Sequence, residues 1–484
     1  MALDLSNRIV PPRRAAPVLP LVAELTPAPD PWDAFLRLSG LPYVLFLDSA
    51  LVHPSLGRYS YLTADPFLWL VAKGKQAVDP LTRLAEALGR FPSEAYPDLP
   101  PFQGGAAGLF SYDLCHYLER LPRSAGNEFG VPDLAVGIYD WVLAFDHQVG
   151  QAWLFSTGFP APNGAKRTAR AERRLRAIRD ILQTGRRARD SEKRTNPPPL
   201  SEQALSRQHP VRGRNGITSN FAPSEYLTAV ARAIEYIHAG DYFQVNLAQR
   251  LLAPAPNQPV ELYGRLRERN PAPFAGYFDL GDFVIASASP ERFVKVENGD
   301  VETRPIKGTR RRGVTAAEDQ SLIADLTGSG KDRAENIMIV DLMRNDLGRV
   351  CDYGSVDVAS VCRLETYRTV HHLVSEVRGR LRGDLGPVDL LRAAFPGGSV
   401  TGAPKIRAME IIAELEPTVR GAYCGSLGYL GFNGAMDTNI LIRTFTLGRG
   451  WAQFPVGGGI VADSTPEREY EETWHKAEGL LRAL

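Results

Sequence analysis

The chain has 484 residues, of which 44% are hydrophobic and 23% charged, and its 56 basic and 55 acidic side chains give a formal charge of +1. This ordinary globular composition excludes any overall electrostatic attraction to nucleic acid or to a membrane surface. Four cysteines without a CxxC pair, and the lack of an apolar stretch of bilayer length, favour a cytoplasmic protein with reduced thiols.

Residues 1–160 are predicted to form an N-terminal region of short strands. Apolar, β-prone runs bounded by turn residues occur at 43–47, 58–62, 104–110 and 139–146.

Residues 161–215 are predicted to form a basic helix followed by a linker. A helix is expected over Thr168–Leu182, and three prolines follow at 197–199. Clustered arginine is typical of phosphate binding, but proteins that bind single strands also interleave aromatic residues, and none occurs between 166 and 214. We therefore expect a solvated helix and linker, and no nucleic-acid partner.

Residues 216–484 are predicted to form a catalytic domain in which helices alternate with strands. Helices are expected at 223–238, 316–347, 388–394 and 405–414 and after Pro466, and strands at 283–288 and 292–296. The mixture predicts an α+β fold with mostly antiparallel sheets.

Lys307 is the candidate nucleophile. Four arginines surround it in the sequence (Arg304, Arg310, Arg311 and Arg312), and a positive local field lowers the pKa of an amine and frees its lone pair. Most lysines in basic runs are nevertheless solvated and inert, so the run alone does not assign a role.

Acidic residues and glycine-rich turns supply the rest of a candidate site. Glu469, Glu472 and Lys476 fall at i, i+3 and i+7 on one helix face, and Glu335 begins a second helical stripe. The turn 395–405 ends at a helix start, where free backbone N–H groups attract anions, and Gly457–Gly459 lets backbone amides approach a ligand. Surface salt bridging remains the alternative for each acidic residue taken singly.

With these segments assembled, the chain resembles the chorismate-utilising enzyme family from about residue 20 onward. The resemblance rests on segments in family order, among them Gly240-Asp-Tyr-Phe-Gln-Val-Asn246, Pro305-Ile-Lys-Gly-Thr309, Pro396-Gly-Gly-Ser-Val-Thr-Gly-Ala-Pro-Lys405 and Asn439-Ile-Leu-Ile-Arg-Thr444. It implies the fold of anthranilate synthase component I, with two packed, mostly antiparallel β-sheets surrounded by helices.

Two positions discriminate within the family. Anthranilate synthases carry alanine at the position of Lys307, whereas aminodeoxychorismate synthases carry lysine. Isochorismate and salicylate synthases use a lysine base at the position of Gln244, and a glutamine has no useful basicity. Both positions favour the aminodeoxychorismate synthase branch.

The resemblance implies a reaction and a cofactor. Lys307 would attack chorismate while Glu291 protonates the departing 4-hydroxyl, and ammonia would then displace the lysine to give 4-amino-4-deoxychorismate. Mg²⁺ is implied at Glu335 and Glu472, with Glu469 on the same helix face. The substrate contacts implied by family positions are Gln244, His372, Thr401, Tyr429, Arg443, Gly457, Gly458, Gly459 and Lys476.

The resemblance also implies partners. A separate glutamine amidotransferase would supply ammonia, and an aminodeoxychorismate lyase would act next toward para-aminobenzoate and folate. A tryptophan pocket is implied at Ser49, Arg58, Tyr59, Ser60, Asn270, Pro271 and Phe274, for which vestigial, structural and regulatory roles stay open. The alternatives in function are anthranilate synthase component I and a non-catalytic, tryptophan-sensing subunit.

Overall fold

The computed structural model describes residues 18–51, 56–74, 76, 78–162, 164–184, 197–367 and 370–484. Residues 1–17 of the predicted N-terminal region and 185–196 of the predicted linker lie outside this described part. Its four cysteines are buried and unbridged. No helix in the described ranges is both long and apolar enough to cross a bilayer.

Eleven α-helices occur in the described residues. They are α1 Pro31–Leu38, α2 Pro80–Gly89, α3 Cys115–Leu118, α4 Gly164–Thr184, α5 Pro223–His238, α6 Pro259–Arg269, α7 Ala316–Gly328, α8 Gly330–Gly348, α9 Pro387–Ala394, α10 Lys405–Leu415 and α11 Pro466–Leu481. Six of them begin with proline, which fixes a helical φ and lacks an N–H that would have no partner in the first turn.

Twenty-three strands were assigned in the same described residues. They are β1 Leu21–Glu24, β2 Leu45–Asp48, β3 Tyr59–Thr63, β4 Leu68–Ala72, β5 Gly105–Phe110, β6 Leu134–Tyr139, β7 Trp141–Asp146, β8 Gln151–Ser156, β9 His209–Pro210, β10 Thr218–Ser219, β11 Gln244–Pro254, β12 Phe274–Asp279, β13 Phe283–Ser289, β14 Arg292–Glu297, β15 Asp300–Thr303, β16 Ile306–Arg311, β17 Asp357–Thr366, β18 Val370–Arg380, β19 Gly402–Ala403, β20 Ser426–Gly431, β21 Met436–Asn439, β22 Thr444–Gly448 and β23 Trp451–Ile460.

The strands form two large antiparallel sheets. The first has the order β1-β8-β7-β3-β2-β12-β13-β22-β23-β11-β10-β9, with β19 also paired to β11. The second has the order β16-β18-β15-β14-β21-β20-β5-β6-β4, with β17 also paired to β18. One buried apolar cluster contains side chains of both sheets, including Phe278 and Ile285 from the first and Leu109 and Leu427 from the second. The predicted α+β fold is confirmed.

Both sheets combine strands from the two ends of the sequence. In the first, β2 pairs with β12, and in the second, β5 pairs with β20. The predicted regions 1–160 and 216–484 therefore share both sheets.

Two sequence predictions of elements were wrong. The run 139–146 is divided between β6 and β7, and the chain passes from one sheet to the other at Asp140, which is fully buried. The helical stretch 316–347 breaks at Ser329, whose side chain accepts a hydrogen bond from Asp332 N and caps α8. A cap flanked by Gly328 and Gly330 favours ending one helix and starting the next.

The basic helix α4 is docked by ion pairs. Arg170 and Arg174 each lie 3.2 Å from a carboxylate oxygen of Asp140, and Arg174 also lies 2.7 Å from Asp65. These arginines compensate a carboxylate buried where the chain changes sheets.

Candidate active site

A cavity of about 770 Å³ gathers most of the predicted site residues. Its walls include parts of β11, β16, β18 and β23, of α8 and α11, and of the segment 395–404, here called the 395–404 loop. The predicted residues that line it are Glu291, Lys307, Glu335, His372, Arg443, Gly457, Gly459, Glu472 and Lys476.

Lys307 lies at an irregularity of β16. The register against β18 shifts between Lys307 and Thr309, and Gly308 between them has φ +77°, a conformation that favours glycine. This places the lysine in the cavity wall, where its Nζ donates a hydrogen bond to Ser399 O at 3.3 Å.

Burial lowers the pKa of Lys307, while the carboxylates of Glu335 and Glu291 oppose this effect and Lys476 adds to it. The arginines that the sequence suggested as the cause are instead paired with other side chains. These pairs are Arg304 with Glu365, Arg310 with Asp325, Arg311 with Glu318, and Arg312 with Asp319. The predicted cause was therefore wrong, because desolvation dominates and the arginine charges are compensated.

Glu291 lies between β13 and β14 with 6% of its surface exposed. Burial raises its pKa, against the opposing effects of a hydrogen bond from Ser399 and the charges of Lys307 and Arg443. Ser399 Oγ donates to Glu291 Oε1 at 2.7 Å. A carboxyl group with a raised pKa beside an amine with a lowered pKa is a suitable pair for proton transfer.

Arg443 is suited to binding an anion. Burial lowers its pKa, and its guanidinium makes no hydrogen bond or ion pair with any side chain in the described part of the chain. An unpaired, half-buried guanidinium in a cavity can hold a carboxylate with two parallel hydrogen bonds.

His372 lies on the same wall as an uncharged group. Its Nδ1 is 2.8 Å from Thr309 Oγ1, and burial first, then Arg443, lowers its pKa to about 4. His371 points elsewhere, since its Nε2 lies 2.9 Å from Asp319. The two histidines therefore do not converge on one ion.

Two carboxylates border the cavity near a lysine. Glu472 Oε1 lies 2.7 Å from Lys476 Nζ, which also donates to Gly457 O at 2.8 Å. Glu335 has a pKa raised mainly by burial, and Glu472 contributes to this shift. The third predicted carboxylate, Glu469, is buried, accepts a hydrogen bond from Ser464 Oγ at 2.6 Å, and has no partner for Oε2 among the described residues.

The side chains that could bind Mg²⁺ in this cavity are carboxylates. The described residues contain no group of three or more histidine, cysteine or acidic side chains arranged to hold a metal. Glu335 and Glu472 face one cavity as like charges, which favours a cation between them. Mg²⁺ is commonly bound by one or two carboxylates and completes its coordination with water and substrate, so the residues fit this ion.

Four predicted substrate contacts do not line the cavity. Gln244 is 1% exposed and covers Gly459, where an added Cβ would lie 2.2 Å from its Nε2. Thr401 is fully buried and donates to Gly397 O. The Tyr429 ring stacks on Phe102 with centroids 4.4 Å apart, outside this cavity.

Gly458 is the fourth predicted substrate contact that does not line the cavity. An added Cβ there would lie 3.1 Å from Glu469 Oε2 and 3.3 Å from Glu472 Oε1, so this glycine lets α11 approach β23.

Sequence reasoning missed several lining residues with polar groups, among them Ser399, Lys331 and Asn246. Lys331 and Glu335 are spaced i, i+4 at the start of α8, and this spacing was the signal that could have placed both on one face.

A second cavity of about 340 Å³ contains part of the predicted tryptophan pocket. Ser49, Arg58, Tyr59 and Phe274 line it, as does Tyr429. Ser60 lies behind this wall, where its hydroxyl accepts a hydrogen bond from Ser49 N at 2.9 Å, and Pro271 lines neither cavity.

Asn270, predicted for the same pocket, lines the Lys307 cavity and packs against Gly479. The chain between Asn270 and Phe274 therefore passes from one cavity to the other.

The family model for chorismate-binding enzymes matches residues 53–482. Aminodeoxychorismate synthase component 1 of Salmonella typhimurium is 42% identical over 464 residues, covering 93% of this chain and 95% of the relative. Anthranilate synthase component 1 of Thermus thermophilus is 41% identical over 463 residues, covering 94% and 95%.

Among solved structures, anthranilate synthase component I of Streptococcus pneumoniae has a TM-score of 0.72 at 32% identity, covering 89% of this chain and 93% of that one. The menaquinone-specific isochorismate synthase of Escherichia coli has a TM-score of 0.67 at 19% identity, covering 98% and 96%, and shares the fold.

Proposed function

The chain belongs to the chorismate-binding enzyme family, and from this premise we propose that it is the synthase subunit of an aminodeoxychorismate synthase. It would convert chorismate and ammonia to 4-amino-4-deoxychorismate. The observation that carries the proposal is an amine of lowered pKa, Lys307, in the same cavity as a buried carboxyl of raised pKa, Glu291.

The first proposed step makes a covalent adduct. The neutral Lys307 amine bonds to C2 of chorismate, the conjugated double bonds of the ring shift, and the C4–O bond breaks. Glu291 gives its proton to the departing hydroxyl, which leaves as water. The resulting Glu291 carboxylate then takes a proton from the Lys307 nitrogen, which is positively charged once the C–N bond has formed.

In the second step ammonia bonds to C4 and the double bonds shift back. The C2–N bond breaks, and Lys307 leaves as the amine with the proton returned by Glu291. The nitrogen at C4 loses one proton, which the Glu291 carboxylate takes up and so regains its starting state. The sum is chorismate plus ammonia giving aminodeoxychorismate plus water, and the enolpyruvyl group stays on the ring.

The remaining cavity residues bind and orient chorismate in this proposal. Arg443 holds one substrate carboxylate, and uncharged His372 with Thr309 offers hydrogen bonds to the ring. Mg²⁺ held by Glu335 and Glu472 would supply positive charge for the other carboxylate.

Partners follow from the same proposal. The relatives are named component 1, which implies a second subunit. We propose a glutamine amidotransferase that supplies ammonia, and a separate aminodeoxychorismate lyase that consumes the product. For the second cavity we propose tryptophan as a ligand, because Tyr59, Tyr61 and Phe274 offer aromatic surface beside charged groups.

Anthranilate synthase is the second candidate, because a relative with that name is nearly as similar as those named aminodeoxychorismate synthase. The two activities differ in their products. Anthranilate formation releases pyruvate, whereas amination at C4 does not.

Incubation of the chain with chorismate, Mg²⁺ and ammonia, followed by mass spectrometry and a pyruvate assay, tests the function. We expect 4-amino-4-deoxychorismate without pyruvate. Anthranilate with equimolar pyruvate would establish the second candidate, and no chorismate turnover would favour a non-catalytic subunit.

Trapping tests the nucleophile. With chorismate and no ammonia, we expect the Lys307 peptide to gain the mass of chorismate minus one water. The matched control is Lys295, which lines the second cavity and should stay unmodified. Lys307→Ala should lose at least about 100-fold in activity, in line with losses of a positioned catalytic group, and full activity in this variant would reject the covalent step.

A further inference from the structure

We infer that Ser399 is a positioning residue that orients both the proton donor and the nucleophile, one through its side chain and the other through its backbone. This inference rests on the proposed function, in which Glu291 and Lys307 have those roles. Ser399 is 8% exposed and belongs to the short 3₁₀ turn Gly398–Val400 within the 395–404 loop.

The side chain of Ser399 selects one oxygen of Glu291. Its hydroxyl donates to Glu291 Oε1 at 2.7 Å. An oxygen that accepts this hydrogen bond is a poor site for the acid proton, so the proton of neutral Glu291 belongs on Oε2. Ser399 thereby decides which oxygen gives its proton to the leaving group.

The backbone of Ser399 orients the amine. Lys307 Nζ donates to Ser399 O at 3.3 Å, and this is the one hydrogen bond of the Lys307 amine within the described residues. Using one N–H in this way restricts rotation of the amine and leaves its lone pair to point elsewhere. One residue thus contacts both reacting groups.

The 395–404 loop holds Ser399 rigidly. Before it, Gly398 packs so tightly on α8 that an added Cβ would lie 2.4 Å from Leu342 Cδ2. After it, Arg420 donates to Val400 O at 2.9 Å, and Lys405 Nζ donates to Ala394 O at 2.6 Å, which ties the two ends of the loop together. Precise proton transfer requires that the residue orienting the acid be held in one position by its surroundings.

Removal of the hydroxyl has a distinct signature in the pH profile. The Ser399 hydrogen bond lowers the pKa of Glu291 against the effect of burial, so its loss raises that pKa further. The charged and titratable groups that face Glu291 are Lys307, Arg443 and Cys424, and Ser399→Ala leaves all three in place. The limb of the pH–activity profile that reflects loss of the Glu291 proton should move to higher pH, while the other limb should stay in place.

The test compares Ser399→Ala and Ser399→Thr with the wild-type chain, using ammonia as nitrogen source so that no second subunit is needed. In Ser399→Ala we expect kcat to fall roughly 10–100-fold, which corresponds to loss of the hydrogen bond to the carboxylate that forms as Glu291 gives up its proton, with the KM for chorismate within about twofold. Ser399→Thr keeps the hydroxyl. It should therefore recover most of kcat, and the Glu291 limb of its pH–activity profile should lie at the wild-type pH.

The matched control is Ser156→Ala, which removes another buried hydroxyl, one in β8 that has no partner in the described part of the structure. It should leave kcat and both limbs unchanged. An unshifted profile in Ser399→Ala, or an equal loss in Ser399→Thr with unchanged melting temperature, overturns the inference.

The product assay separates this outcome from failure of the proposed function. If the wild-type chain makes aminodeoxychorismate and Ser399→Ala behaves normally, only the inference fails. If the wild-type chain makes anthranilate and pyruvate, the proposed function fails first.

Discussion

Single residues in this cavity owe their chemistry to burial more than to their neighbours in sequence. Lys307 and His372 both have lowered pKa values, and in each case loss of water is the largest cause. Glu291 shows the opposite shift for the same reason, since burial always disfavours the charged form. Burial in one cavity therefore favours the uncharged forms of an amine, an imidazole and a carboxyl group together.

The buried imidazole of His372 predicts acid sensitivity. Its pKa falls from 6.5 to about 4 on folding, so between these values the unfolded chain binds a proton that the folded chain does not. This contribution to stability is complete above pH 6.5 and is lost as the pH falls toward 4, by up to about 3 kcal/mol.

Urea unfolding of the wild-type chain and of His372→Gln at pH 5 and pH 8 measures this loss. The free energy of unfolding should decline less between pH 8 and pH 5 in the variant. Equal declines in the free energy of unfolding of the two proteins would contradict the assignment of this acid sensitivity to His372.

At the scale of elements, the site depends on how the 395–404 loop is anchored between α9 and α10. Lys405, the first residue of α10, bonds Asp346 Oδ2 of α8 and Ala394 O of α9, both at 2.6 Å. Asp346 is 1% exposed. One buried ion pair thus joins three helices beneath the loop that carries Ser399.

Breaking this pair should destabilise the protein more than replacing it. Lys405→Met leaves Asp346 buried without a counter-charge, and we expect the free energy of unfolding to fall by about 3 kcal/mol. The double variant Lys405→Met/Asp346→Leu removes both charges and should recover part of that loss.

Denaturant unfolding of the two single variants and the double variant forms the complete cycle. Additive losses in the double variant would show that the two side chains do not act as a pair.

At the scale of the whole molecule, the two sheets make the chain a single structural unit. β2 and β5, from the first quarter of the sequence, pair with β12 and β20 in the last half. Chain segments far apart in sequence thus lie in the interior of each sheet.

The region 216–484 expressed alone should therefore not fold. Without residues 1–215, β12 and β20 would become unpaired edges, and the buried apolar surface between the sheets would face water. We expect this fragment to be insoluble and inactive, while the full chain unfolds in one transition by calorimetry. A soluble, monomeric fragment with native near-ultraviolet circular dichroism would contradict this expectation.

Local patterns were enough to predict much of the fold. The helix Pro223–His238 was predicted with its observed bounds, because a proline start, an apolar stripe and a following Gly240 all lie within one segment. The strand 292–296 was predicted to within one residue for similar reasons. The predictions failed at Asp140, where the chain passes from one sheet to the other, and at Ser329, whose side chain caps α8.

The sequence by itself determined the family and the α+β fold, and it predicted Lys307, Glu291, Glu335 and Glu472 as site residues, since these depend on residue type and order. Only the tertiary structure decided what surrounds them. It placed Tyr429 and Thr401 outside the cavity and Ser399 and Lys331 in its wall, and it assigned the lowered pKa of Lys307 to burial. The physical reason is that desolvation and hydrogen bonding depend on atoms brought together from distant segments, and a linear pattern does not specify those distances.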